Sequence, residues 1–447
     1  MTPMTKSSTF SIFLATVLCT GAGTAVPLGS TSSLEPAVRL QEDSTLLMRA
    51  ADHRKAGELF GNCINARKER EGKGDAEEEL REHLDKKWSK AAKGRGPLAL
   101  SDDLAASLWH AIDYSKVKGI KKGKVDDMDV PVTYYGEDYE AKNSVWIPKK
   151  YSPKIAYPLI LCIPDVDEKP ADHLNEYWNI PALRDGAIIV VLDMPEDPAL
   201  WGGVGERGNS KKAGGQGILL STFAIARDSY AIDFDKVFLA GRGEGVAAAM
   251  NIASVFPDRF CALIGRTGDA AEISPDNLSN LPCFFAGAGK RATDYAELAK
   301  EAGYADCTLN PSGKVEDVWA WIEATNRRSN PDQVVLVPGS PFPTKAYWIE
   351  LPRMDYDADA KISAKLDVAS NSITIEAIGI PSVTLYLNDT LLNLDEPVTV
   401  TLNGAVHKDK IPRNFYTMIE QVYSSKNDPG KFYTTSMDYD IPKSPKK

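Results

Sequence analysis

Residues Val237–Phe260 read VFLAGRGEGVAAAMNIASVFPDRF. The apolar run Val237–Ala240 leads into a glycine-flanked turn, Gly241-Arg242-Gly243-Glu244-Gly245, and a small-residue helical pattern follows. The run is strand-like, and glycine relaxes the geometry that a sharp strand-to-helix turn demands. Small residues at Gly245, Ala247 and Ala248 let a helix approach a sheet closely. The centre of the pentapeptide is Gly243, its neighbour is Glu244, and no serine, cysteine or aspartate stands in it.

Outward from this turn, strand-like and helical patterns alternate over residues 128–330. Strands are expected at Val130–Tyr135, Ala141–Ile147, Pro158–Ile163, Ala187–Leu192, Lys236–Ala240, Ala262–Gly265, Cys283–Ala286 and Cys307–Asn310. Helical spacing falls at Leu219–Tyr230, Val246–Val255, Thr293–Ala302 and Val315–Ala324. The middle strands are almost continuously apolar (LILCIP, AIIVVLDM, VFLAG), as when helices cover both faces of a parallel sheet. The first two strands are close enough to form a hairpin, giving an antiparallel edge. This predicts a three-layer α/β domain.

The flanks differ in texture. Residues 26–127 read as a Ser/Thr/Pro/Gly linker followed by a highly charged helical region suited to packing or spacing, with Ser101 as a candidate helix N-cap. Residues 331–447 carry short strand-like runs (Ala346–Glu350, Lys361–Asp367, Ser372–Ala377, Val383–Leu387, Val398–Leu402) separated by Asn and Gly turns. An all-β sandwich ending in a frayed tail is expected there.

The chain of 447 residues is 43% hydrophobic and 26% charged, which is ordinary for globular domains. A net charge of −10 argues against general nucleic-acid binding. Lys6, the apolar stretch Phe10–Cys19 and the small residues Gly23-Thr24-Ala25 read as a signal peptide over residues 1–25. Export to a secreted or periplasmic location without a membrane span is therefore expected. Cleavage leaves Cys63, Cys162, Cys261, Cys283 and Cys307, an odd, widely spaced set that reads neither as a disulfide framework nor as a zinc site.

The segment DFDKVFLAGRGEGVAAAMNIASVFPDRFCALIGRTGD, with its place after four earlier strands, resembles the nucleophile elbow of the α/β-hydrolase superfamily, of the esterase and prolyl-oligopeptidase-like kind. The resemblance covers residues 128–327 and implies an α/β-hydrolase-like sheet. It also implies three catalytic positions: an elbow nucleophile, an acid after a later strand, and a histidine near the last strand. Here the nucleophile's position is Gly243. After Cys283–Ala286 the turn holds Lys290 and Arg291, with Asp294 beyond. After Cys307–Asn310 it reads Pro311-Ser312-Gly313-Lys314, and no histidine occurs between His173 and His407. Pro164-Asp165-Val166-Asp167 stands where an oxyanion loop belongs, and a carboxylate there opposes a developing oxyanion. The expectation is a degenerate triad and a binding role, for a small molecule or a protein partner, without a cofactor.

Three other readings stay open. Glu244 would act as a carboxylate nucleophile or base in an atypical hydrolase of esters or related small substrates, with His173, in the loop after Pro158–Ile163, or a bound cation assisting. The rim acids Asp165, Asp167, Asp193, Glu244 and Asp269 would suit a hard cation, although Arg242, Arg266, Lys290 and Arg291 can neutralise them, and the favoured reading is that salt-bridged rim without a metal. A third reading is a structural component of the cell envelope. Gly203-Val204-Gly205-Glu206-Arg207-Gly208 fits G-x-G-x-x-G, but it lies in a polar loop (Trp201–Gly217) read as a flap anchored by Trp201.

Overall fold

A computed structural model of the chain describes residues 46–443, apart from 135–136, 207–208, 288, 312–313 and 340–342. The expected signal peptide and the linker after it lie outside the described residues.

The segment begins with three helices, α1 (Ala50–Glu69), α2 (Lys73–Lys87) and α3 (Ser101–Ser107). Asp103 of α3 accepts the backbone N–H groups of Leu47 and Met48, at 3.0 and 2.7 Å, and sits 2.9 Å from His53 Nε2. It thus anchors the chain just before α1, whose own N-terminus carries no side-chain cap. Ser101 is not the N-cap its sequence predicts. It is the first residue of α3, and its hydroxyl instead accepts the N–H of Asp389 from the far end of the chain.

The next eight strands form one sheet. They are β1 (Val125–Tyr134), β2 (Glu137–Trp146), β3 (Tyr157–Ile163), β4 (Ile188–Val191), β5 (Ile232–Arg242), β6 (Ala262–Arg266), β7 (Cys283–Ala286) and β8 (Cys307–Asn310). Their order is β1-β2-β4-β3-β5-β6-β7-β8; β1 and β2 form the expected antiparallel hairpin edge, and β3 to β8 pair in parallel. This is an α/β-hydrolase-like sheet.

Alternate residues of the buried strands feed opposite cores, as the period of two requires. Leu159, Leu161 and Ile163 face α6 (Gly215–Ser229), α7 (Glu244–Val255) and α8 (Lys290–Glu301). Ile160 and Cys162 face α4 (Pro170–Tyr177), α5 (Pro181–Gly186) and α9 (Val315–Ala324). The short helices α4 and α5 are absent from the sequence reading, and α6 starts four residues earlier than its apolar spacing indicates.

The C-terminal strands are β9 (Gln333–Leu336), β10 (Lys345–Ala346), β11 (Ile349–Glu350), β12 (Lys361–Asp367), β13 (Ser372–Ile378), β14 (Ser382–Leu387), β15 (Val398–Leu402), β16 (Ala405–Asp409) and β17 (Thr435–Asp440). They make a four-stranded and a five-stranded sheet around a common apolar core. A helix that the sequence reading lacks, α10 (Phe415–Ser425), interrupts them. Its Met418, Ile419 and Val422 join a single core with Leu59, Phe60 and Leu80 of the first helices and with Trp88, so α10 packs against α1 and α2. All five cysteines among the described residues are free thiols.

Candidate functional site

Strand β5 ends at Arg242, α7 begins at Glu244, and the whole change of direction falls on Gly243, with φ 53° and ψ −125°. A residue with a side chain resists this conformation. The flanking glycines are needed for close approach: a Cβ on Gly241 would lie 2.2 Å from Gly245 O, and one on Gly245 would lie 2.5 Å from Ile163 O. The strand-to-helix turn at 241–245 is thus built on three glycines.

Where a side chain on Gly243 would project stands the carboxylate of Asp165. A Cβ on Gly243 would be 2.0 Å from Asp165 Cγ, Oδ1 and Oδ2. Asp165 Oδ1 accepts the N–H of Glu244 at 3.0 Å and that of Val166 at 2.9 Å. These are the amide after the elbow centre and an amide of the loop after β3, the two positions from which this fold draws oxyanion donors. One internal carboxylate oxygen takes both.

Asp165 is held in turn by a network reaching into the fold. Arg242 Nη1 lies 3.5 Å from Asp165 Oδ2 and is also paired with Glu168 Oε1. Glu168 Oε2 accepts the backbone N–H of Asp165 at 2.9 Å and lies 2.7 Å from His173 Nδ1. The Arg242 guanidinium rests over the Tyr177 ring, 3.9 Å from its centre. Arg266, buried at the end of β6, donates to the carbonyl of Tyr177 and lies 5.0 Å from the Trp178 ring. Burial pushes the Arg266 pKa down. Arginine suits such a place because its planar fork can stack and pair at once.

His173 is not the loop residue expected from the sequence. It lies on α4 and is buried. The Trp178 indole N–H donates to its Nε2 at 3.1 Å, which places the ring proton on Nδ1, where it donates to Glu168. Burial lowers the His173 pKa, against the opposing pull of Glu168. Both ring nitrogens are committed, and neither is bonded to Glu244. Glu244 is exposed, and its carboxylate has no hydrogen-bond or ionic partner among the described residues.

The other rim residues separate into local pairs. Asp269 accepts the N–H groups of Ala270 and Ala292, each at 3.0 Å, and pairs with Arg291 at 3.2 Å, which ties it to the start of α8. Lys290 is exposed and pairs with Asp294 at 3.4 Å. Asp193 accepts the N–H of Lys142 at 2.8 Å on the other side of the sheet edge. Asp167 is exposed, with φ 63°. Among the described residues no group of three or more acids, histidines or cysteines is placed to hold a metal ion.

Glu168 and Tyr177 carry the network and were missed in the sequence. The one signal was the spacing of Glu168 three residues after Asp165, opposite a basic elbow residue. In the loop before α6, Trp201 is buried and donates to Pro195 O at 2.6 Å. Gly205 bridges to Ala213, and α6 starts at Gly215, so the G-x-G-x-x-G stretch does not open a helix. Clefts of about 380 to 680 Å³ lie elsewhere, and none is lined by Asp165, Gly243 or Glu244.

No protein-family model matches the sequence, and no curated protein matches it. Solved structures with similar folds include a thermostable esterase, 16% identical over 45% of this chain and 64% of that one, with a TM-score of 0.37. The chain thus spans less than two thirds of that esterase. An S-formylglutathione hydrolase from Agrobacterium tumefaciens is 13% identical over 47% of this chain and 98% of its own, with a TM-score of 0.36. A Bacteroides ovatus protein assigned as a dipeptidyl aminopeptidase IV is 11% identical over 46% of this chain and 36% of its own, with a TM-score of 0.35. The fold assignment rests on the strand order and connections, not on these likenesses. Among the described residues no helix is long and apolar enough to cross a membrane.

Proposed function

We propose that this chain is an exported protein that uses an α/β-hydrolase-like frame for binding rather than bond cleavage. The observation that carries the reading is the place of Asp165: its carboxylate fills the space of an elbow side chain and takes both amide donors an oxyanion would need. Acyl transfer by a serine mechanism requires a hydroxyl, a base to take its proton, and donors for the oxyanion. At this elbow Gly243 supplies no hydroxyl, His173 is bonded on both nitrogens, and the donors are occupied. Export through residues 1–25 is part of the same proposal and rests on the sequence alone.

One observation favours a second reading. The Glu244 carboxylate is exposed beside the elbow and unpaired among the described residues, so it is the group left to attack an electrophile. The test sets the purified mature protein against short-chain aryl esters, amides, epoxides and haloalkanes, alongside Glu244→Gln. The binding reading expects no turnover above buffer in either protein. Turnover lost in the variant would make Glu244 a nucleophile or base and overturn it.

A further inference from the structure

A cleft of about 510 Å³ runs along the seam between the α/β sheet and the C-terminal β-domain, and its lining includes neither Asp165, Gly243 nor Glu244. Six cationic and four acidic side chains line it, together with an apolar wall that includes Phe223 and Phe234. The acids are committed. Asp258 pairs with Lys431 at 2.7 Å, Asp428 with Arg327 at 2.5 and 2.7 Å, Glu350 with Lys345 at 3.2 Å, and Glu420 with Arg67 at 2.6 Å.

Arg259 lines the same cleft without such a partner. Its guanidinium makes no hydrogen bond or ion pair among the described residues and only lies over Phe256, 4.8 Å from the ring centre. Burial lowers its pKa, the mark of a charge that has lost water. Tyr433, 1% exposed, also lines the cleft, and its hydroxyl has no hydrogen-bond partner among the described residues. Five N–H donors and one phenol O–H, partly or wholly withdrawn from water and unanswered by protein, carry a free-energy cost that a ligand with acceptor oxygens would remove.

We infer that this seam cleft is a binding site for a small organic oxyanion, a carboxylate or a phosphate monoester, carried on an apolar body. The Arg259 fork takes the anionic head, which guanidinium geometry fits in two parallel hydrogen bonds. The Tyr433 hydroxyl donates to the same head, and Phe223 and Phe234 cover the apolar body. The inference rests on the binding role proposed above and gives it a place and a ligand chemistry; it does not depend on the elbow being inactive.

Phenyl phosphate and phenylacetate, with benzyl alcohol as the uncharged control, are titrated into the mature protein by calorimetry. The expected result is saturable binding of one or both anions at one per chain, and none of the alcohol. Arg259→Gln weakens that binding about tenfold or more. Tyr433→Phe removes an oxygen that has no hydrogen-bond partner among the described residues, so it leaves the thermal midpoint unchanged or raised while weakening the anion about twofold to tenfold. Arg291→Gln, near the elbow, binds as wild type. Absence of saturable anion binding to wild type overturns the inference, as does wild-type affinity in both cleft variants. Ester hydrolysis is followed on the same samples. Turnover there contradicts the non-catalytic reading and leaves the anion site standing on its own result.

Discussion

The Asp165 carboxylate occupies the position that a side chain on Gly243 would take, with three of its atoms 2.0 Å from a Cβ placed there. Two residues 78 positions apart in the chain therefore exclude one another's alternatives. A side chain at Gly243 expels Asp165, and Asp165 requires glycine. This exclusion gives the first prediction. Gly243→Ser combines a positive φ with the overlap and should cost about 2–4 kcal/mol. Removing the obstruction with Asp165→Gly should return about 1–3 kcal/mol of that cost as a coupling energy. Urea denaturation of the two single variants and the double variant measures it; additive costs would contradict the contact.

Arg242, stacked on the Tyr177 ring, joins the carboxylates of Asp165 and Glu168. Arg242→Met leaves two half-buried acids side by side without their cation. A loss of about 1–3 kcal/mol is expected. Arg242→Lys should recover only part of it, because an ammonium neither bridges as a planar fork nor stacks in the same way. The comparison is read from denaturation midpoints at low and high salt, since an ion pair of this exposure is partly screened.

His173 predicts a pH dependence. Its pKa in the folded protein lies below the ordinary imidazole value, because burial disfavours the cation. The unfolded state then binds the proton more readily, so stability is fully present above about pH 6.5 and is lost as pH falls below it. His83 and His110 are lowered by burial in the same direction and contribute to the same slope. His173→Gln should flatten part of the fall in thermal midpoint between pH 7 and pH 5. An unchanged slope in the variant would show that His173 does not titrate as described.

At the seam, Arg327 makes two hydrogen bonds to Asp428 and one to Asp235, and its side chain is 2% exposed. Arg327→Met removes the cation and leaves Asp428 buried without it, for a cost of about 3–5 kcal/mol. Because Asp428 follows α10 and Asp235 lies in β5, the same substitution should weaken both sides of the seam together. Proteolysis monitored at both sides would test this; loosening confined to one would contradict it.

How far the sequence carried these conclusions differs between regions. The runs Leu159–Ile163, Ile188–Leu192 and Val237–Ala240 are legible because strands covered on both faces need apolar residues throughout. Helix α10 was not: Phe415, Tyr416, Thr417, Val422 and Tyr423 favour strands in isolation. Packing of Met418, Ile419 and Val422 against the first helices decides it, aided by Asn414, whose side chain accepts the N–H groups of Tyr416 and Thr417. At the site, the glycine at the elbow centre and the exposed Glu244 were legible. The inward turn of Asp165 was not, since its partners at Gly243 and Glu244 lie far along the chain at the turn between β5 and α7, and α4, which buries His173, is only 8 residues long.

The elbow turn is held by Asp165, which accepts the amide of Glu244. As the first residue of α7, Glu244 has no intrahelical acceptor for its N–H, so this amide should exchange with solvent freely unless another group protects it. The direct measurement is residue-resolved hydrogen exchange in wild type and in Asp165→Ala. Protection at Glu244 and Val166 is expected in wild type and should be lost by tenfold or more in the variant (on the order of a hydrogen bond) while the strand amides of β5 keep theirs. Unprotected exchange at Glu244 in wild type, or protection that survives Asp165→Ala, would contradict it.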